Sequence, residues 1–221
     1  MSGDAAADGV AARLARVRAA IPGGVTLVAV SKAQPAGAIR EAYAAGQRHF
    51  GENYVQEWRA KAEALADLPD LAWHFVGGLQ TNKVKYLAGR VALVHTVDRE
   101  DLGREVSRRW ERVGSTGRIL VEVNVGREPG KAGCDPDAVP GLVATLRALP
   151  ALDVAGLMCI PPADRDPRPF FAALRGLRDG LGLRELSMGM SGDYPAAIAE
   201  GATLVRVGTA VFGERPPRVP G

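Results

Sequence analysis

Lysine is scarce in this chain. Five lysines (Lys32, Lys61, Lys83, Lys85 and Lys131) stand against 23 arginines, and the formal net charge of +3 is small for 221 residues. No run of five like charges occurs, so the chain lacks the dense cationic track that nucleic-acid backbones attract. Aromatic residues make up 5% and do not alternate with basic ones, which argues against a stacking platform for single strands. There is no apolar stretch of about 18 residues that could span a membrane. The opening MSGDAAADG is acidic and polar, unlike a secretory signal. Cys134 and Cys159 form no close-spaced metal or redox motif, and two isolated thiols suit a reducing cytoplasm. No Ser/Gly-rich run or shift in composition marks a linker. One domain is therefore expected over residues 1–221, with frayed tails at 1–8 and 214–221.

What the chain does have is alternation. Val10 to Ile21 carries Val10, Leu14, Val17 and Ile21 at helical spacing and stops at Pro22-Gly23-Gly24. Eight apolar runs follow, at Val25–Val30, Arg48–Glu52, Ala72–Gly77, Val91–Val97, Arg118–Val125, Val154–Ile160, Glu185–Met190 and Thr203–Phe212. Helical patterns separate them at Pro35–Ala45, Tyr54–Leu65, Thr81–Leu87, Arg99–Val113, Asp135–Leu149, Pro169–Leu181 and Pro195–Glu200. In the sixth of these, Phe170, Leu174, Leu177 and Leu181 are expected on one face, and the charged 99–113 helix is expected to be solvated. Strict alternation means parallel strands joined by right-handed crossovers. Eight such units predict a compact (β/α)8 barrel with one extra N-terminal helix, and a doubly wound sheet is the rival.

In a barrel, chemistry collects at the carboxyl ends of the strands. Lys32 is the one lysine expected at such an end, where a desolvated amine could form an imine with an aldehyde. The second strand ends in Gly51, Glu52 and Asn53. Ser191 and Gly192 precede a helix start after the seventh strand, and Gly208 and Thr209 end the eighth. Backbone N–H groups with a hydroxyl in both loops suit a phosphate dianion. Arg206 lies inside the apolar VRV and needs a partner. That partner is either a carboxylate such as Glu52 or Glu122, or a ring nitrogen of a bound cofactor. His49, His74 and His95 fall on three successive strands but at different depths, which favours satisfied core histidines over a zinc site. Met188 and Met190 are expected to pack or wall the pocket, and Trp58, Trp73 and Trp110 to pack in the core. An imine-forming lysine, a phosphate cradle and an arginine together suggest pyridoxal 5'-phosphate (PLP), with an imine-forming sugar-phosphate aldolase as the alternative.

AVSKAQP, HFGENYVQE, WHFVGGLQTNK, VNVGREPGKAG, GLMCI, MGMSGDYPAAI and VRVGTAVFG occur in that order. Together they resemble the pyridoxal phosphate homeostasis proteins, the family also known as proline synthase co-transcribed homologues, from about residue 10 to Arg215. Gly78 in WHFVGGLQ and the REPGKAG loop depart slightly from the family pattern. The resemblance implies a barrel like the N-terminal domain of alanine racemase, without the racemase's second, β-rich domain. It implies PLP held by Lys32 as an internal aldimine, and phosphate-binding roles for Ser191, Gly192, Gly208 and Thr209. Arg206 would face the pyridine nitrogen and Asn53 would lie beside the ring; no catalytic or metal-ligating residue follows from it. The implied function is buffering, carrying or regulating the intracellular PLP pool, with apo PLP-dependent enzymes as recipients. Charge and hydropathy lead us to expect no nucleic-acid or membrane partner, and the solvated charged helix 99–113 fits a monomer. A PLP-dependent amino-acid racemase is the alternative. Tyr43, Tyr54, Tyr86 and Tyr194 are the tyrosines available to it, and the sequence places none of them as a second base.

Overall fold

The alternation of apolar runs and amphipathic stretches folds as parallel strands with helical returns. The computed structural model describes residues 9–214. The chain runs α1 (Val10–Ala19), β1 (Thr26–Val30), α2 (Ala36–Ala44), β2 (His49–Glu52), α3 (Val55–Ala64), β3 (Ala72–Phe75), α4 (Val84–Leu87), β4 (Leu93–Val97) and α5 (Glu100–Arg112). It continues β5 (Gly117–Glu122), α6 (Val139–Arg147), β6 (Leu152–Met158), α7 (Arg168–Gly180), β7 (Glu185–Ser187), α8 (Tyr194–Ala199), β8 (Leu204–Val207) and α9 (Thr209–Phe212). Short 3-10 turns, Thr81–Lys83 and Pro136–Ala138, lead into α4 and α6. The strands close into a barrel in sequence order, all neighbours parallel. The seam is β8 against β1, with Val28 opposite Arg206 and Ala29 opposite Val207. Among the described residues no helix is long and apolar enough to cross a membrane.

Alternate residues of each strand face opposite sides, so the barrel has an outer and an inner core. Leu27, Ala29, Phe50, Trp73, Phe75, Ile119 and Val121 pack outward under the helices, against side chains such as Leu14, Ile39, Trp58, Trp110 and Phe171. Trp58 and Phe171 are fully buried, and truncating either to alanine would cost about 3–5 kcal/mol. Inside lie Val28, Leu93, Leu120, Ala155, Met158 and Leu204. The barrel interior is not wholly apolar: His74, His95, Ser187 and Arg206 are buried as well. The extra helix α1 locks the two ends of the fold together. Arg13 donates to the carbonyls of Val211 and Phe212 (both 3.0 Å), which would otherwise be orphaned at the end of α9.

Several sequence expectations need correction. The run 203–212 is not one strand: β8 ends at Val207, Gly208 turns the chain, and Thr209–Phe212 is a helix. On α7 it is Phe171 with Leu174 that is fully buried, whereas Phe170 is half-buried, because the helix meets the barrel about one residue further round. The fifth strand ends at Glu122, not Val125; beyond it Val123 bridges to Cys134 as the loop folds back. The charged helix α5 is solvated on one face only, and buries Leu102, Val106 and Trp110 on the other. The 1–8 and 215–221 parts of the expected tails lie outside the described residues.

Candidate functional site

Strand ends bring the predicted residues to one mouth. Lys32 follows β1, Asn53 follows β2, Ser191 and Gly192 lie between β7 and α8, Arg206 is within β8, and Gly208 and Thr209 open α9. All seven line a single cavity of about 260 Å³. Val30, Val76, Ile160 and Met190 supply its apolar walls. Met188 does not reach it; its side chain is buried in the outer core. Among the described lining residues, Lys32 and Arg206 are the only charged or readily titratable side chains.

The loop carrying Lys32 is clamped from behind. Lys61 of α3 is buried, and its ammonium donates to the Ser31 carbonyl (2.6 Å), Glu52 (2.6 Å) and Glu57 (2.7 Å). Those three acceptors use all three donors of the amine. The Ser31 hydroxyl donates to the same Glu52 oxygen at 2.6 Å, and the Ala33 N–H donates to Glu57 at 2.5 Å. Ala33 has φ of +60°, a left-handed conformation that costs a residue with a Cβ about 1 kcal/mol or more. The clamp holds that strained turn immediately after Lys32. Burial pushes the Glu52 carboxyl above its ordinary pKa, while Lys61 and the Ser31 hydroxyl oppose that push. Local periodicity marks Lys61 only as a helix residue. Its spacing of four from Glu57 is the one sequence signal of the clamp.

Among the described residues Arg206 faces no carboxylate at contact distance. Its guanidinium donates to Ser187 Oγ (2.7 Å) and to the Cys159 carbonyl (2.9 Å), so the expected pairing with Glu52 or Glu122 is not the one formed. Burial lowers its pKa from the usual arginine value. Asn53 Oδ1 is buried with no hydrogen-bond partner among the described residues, an acceptor aimed at no protein group in a site lined by Lys32. The loops after β7 and β8 are stitched together by the Ala210 N–H donating to Ser191 Oγ (3.3 Å). A Cβ on Gly208 would stand 3.1 Å from the Val30 carbonyl oxygen, so the backbone here approaches β1 closely. An amine, a guanidinium, two hydroxyls and glycine backbone N–H groups as donors, with an amide oxygen that has no partner among the described residues as acceptor, form a set that fits a phosphorylated heteroaromatic aldehyde.

Behind Arg206 lies a feature that sequence reasoning saw only as separate histidines. Ser187 Oγ is 2.9 Å from His95 Nδ1, His95 Nε2 is 2.9 Å from His74 Nδ1, and His74 Nε2 is 2.9 Å from His49 Nδ1. The different depths expected for the histidines are real. Gly51 is level with His74, and His74 with Leu93, so each imidazole lies two residues further along its strand than the last. The available signal was that each falls at an inward-facing position of a successive strand.

The chain is thus a closed eight-stranded parallel barrel with a lysine after β1 and an arginine in β8 at one mouth. The sequence matches the family described as "Alanine racemase, N-terminal domain" over residues 6–216. Relatives named "Pyridoxal phosphate homeostasis protein" include one from Aquifex aeolicus, 49% identical over 86% of this chain and 86% of its own length. Another, from Pseudomonas aeruginosa, is 44% identical over 95% of each chain. The structure of PipY from Synechococcus elongatus PCC7942, solved with PLP bound, superposes with a TM-score of 0.88 at 43% identity, covering 92% of this chain and 100% of that one. An alanine racemase from Clostridium difficile 630, 13% identical, shares the fold alone (TM-score 0.75, 96% of this chain, 58% of that one). The chain belongs to the pyridoxal phosphate homeostasis proteins, within the alanine racemase N-terminal domain family.

Proposed function

We propose that this cavity binds PLP and that the chain serves the homeostasis of that cofactor, holding and releasing it. The observation that carries this is the convergence of Lys32, Arg206 and the two hydroxyl-and-glycine loops on one cavity. PLP supplies an aldehyde that an amine can capture and a ring that can draw electrons from the captured carbon. Lys32 is the amine in reach, backed by the Lys61 clamp. Ser191, Gly192, Gly208 and Thr209 would hold the phosphate, Asn53 would lie beside the ring, and Arg206 would donate to the ring nitrogen. An arginine can only donate, so the atom facing it stays unprotonated and the ring draws electrons weakly.

That arrangement favours storage over turnover. Racemisation needs a proton carrier on each face of the substrate carbon, and the described lining offers Lys32 without a second titratable base. Tyr43 is tied to Asp70 on the outer surface, and none of the four tyrosines lines the cavity. Met190 lines the cavity and is 39% exposed, which leaves a ligand a route to solvent and to recipient apo-enzymes. The reading extends to a cytoplasmic monomer, supported by two unpaired thiols, one of them fully buried, and by the solvated outer faces of helices such as α5.

The test is a PLP titration of the wild-type protein and Lys32→Ala, followed by visible absorbance. A new band with the wild type and none with the variant is expected. The loaded protein is then incubated with L-alanine in D2O. Exchange of the α-proton no faster than with free PLP supports the homeostasis reading, and clearly faster exchange would move the assignment to a racemase. No spectral change with either protein contradicts PLP as the ligand and turns attention to sugar phosphates.

A further inference from the structure

We propose that His49, His74, His95 and Ser187 form a polarised hydrogen-bond relay. It positions the Arg206 guanidinium at the mouth and makes its placement respond to the protonation of His49 at the opposite end of the barrel. The ligand part of this inference rests on the PLP reading of the cavity.

The direction of the relay follows from donor and acceptor counts. Arg206 has only donors, so Ser187 Oγ accepts from it. The Ser187 hydroxyl proton then has one acceptor among the described residues, His95 Nδ1. A neutral imidazole carries one proton, so His95 bears its own on Nε2 and donates it to His74 Nδ1. By the same step His74 carries its proton on Nε2 and donates to His49 Nδ1, and His49 carries its own on Nε2. The opposite order would turn both Arg206 and His95 on Ser187 as donors and leave a buried hydroxyl proton with no acceptor. One charged residue at the mouth thus sets the tautomer of three rings.

The surroundings keep the rings neutral. Burial lowers the pKa of all three, His74 to about 3, and every charged group that couples to His74 and His95 is cationic or another ring of the column. Arg118 of β5, itself held by Asp153 of β6 and Glu185 of β7, faces His74 and His95, and Arg206 faces His95. Glu122 and Asp193 act on Arg206 from the side of the mouth. His49 differs from the other two. It is half-buried and lines a cleft at the amino ends of β1 and β2, beside Arg18 of α1 and Arg48. It is the ring that solvent protons reach first.

Protonation of His49 places a second donor against the His74 Nε2–H. The column can remove that clash only by reversing each tautomer in turn. Ser187 Oγ then accepts from both His95 Nδ1 and Arg206, and its own buried hydroxyl proton is left without an acceptor among the described residues. Acid at the base of the barrel therefore destabilises the hydroxyl that holds the arginine at its mouth, and Arg206 shifts as Ser187 turns to satisfy its proton, without any movement of strands.

The first measurement is 15N NMR of the histidine side chains in the full-length protein without ligand, at pH 8. Protonated Nε2 and unprotonated Nδ1 on His74 and His95 are expected. A proton on Nδ1 of either ring overturns the relay. The second is PLP affinity of the wild type and His49→Asn between pH 8 and pH 5. Asparagine keeps an oxygen near the Nδ1 position but cannot titrate, so titration of the phosphate and of Lys32 cancels in the ratio. The wild-type-to-variant ratio should fall about fivefold or more toward pH 5, the scale of one buried donor left unmatched. A flat ratio overturns the inference. If the wild type binds no PLP, the site reading fails, and the Arg206 guanidinium 15N signals followed through the same pH range decide the relay. A shift that His49→Asn abolishes supports it, and constant signals overturn it.

Discussion

Glu122, the last residue of β5, has a carboxyl that burial lifts to about 7, with Asp98 adding to the shift and Arg206 opposing it. In the unfolded chain the same group ionises near 4.5. Between those values the folded protein retains a proton that the unfolded chain releases, so stability falls as pH rises through that window and stays lower above it. At roughly 1.4 kcal/mol per pH unit, the interval from 4.5 to 7 amounts to about 3 kcal/mol. Glu122→Gln removes that loss. Urea unfolding at pH 5 and pH 8 should show the variant gaining on the wild type at the higher pH, and parallel pH dependences would contradict the burial account. Lys61 is the converse case. Its amine neutralises a Glu52 carboxylate that is fully buried, so Lys61→Ala strands that charge and should cost about 3–5 kcal/mol by the same measurement. A loss within about 0.5 kcal/mol, the range of an ordinary surface substitution, would show that the clamp is not structural.

At the scale of elements, the site depends on how closely strand ends approach one another. A Cβ on Gly77, just past β3, would lie 2.1 Å from the Asn53 carbonyl oxygen. Gly77→Ala must therefore push away the backbone that carries Asn53. The expected result is a protein at least 1 kcal/mol less stable with weakened PLP binding, read by thermal unfolding and the absorbance titration. Unchanged values in both would mean that Asn53 tolerates displacement. Elements were legible in the sequence wherever a run was long and its period clear, as in β1, α1 and α5. They were misread where composition carries no period. TAVF after Gly208 has the β-branched, apolar look of a strand, yet four residues are too few to display a helical repeat. The strand predicted to reach Val125 stops at Glu122 because pairing, not hydrophobicity, ends a strand.

For the whole molecule, the barrel closes a circuit that no local pattern contains. Alternation was enough to predict eight parallel strands. The strand-end rule pointed to Lys32, Ser191, Gly192, Gly208 and Thr209, Arg206 stood out as a guanidinium inside an apolar strand, and Asn53 was singled out among Gly51, Glu52 and Asn53 only by the family resemblance; all seven line one cavity. The partners of those residues were not legible. Arg206 meets Ser187 nineteen positions away and Cys159 forty-seven away, and His95 meets Ser187 ninety-two away. Such contacts are set by strand register and barrel stagger, which the spacing of apolar residues within one element does not encode. The central claim, that Lys32 holds PLP in the mouth of this barrel, is tested most directly by loading the protein with PLP, reducing it with borohydride and mapping the labelled peptide. The account predicts loss of the visible band and a single label on Lys32. A label on Lys61, Lys83, Lys85 or Lys131, or no label at all, would contradict it.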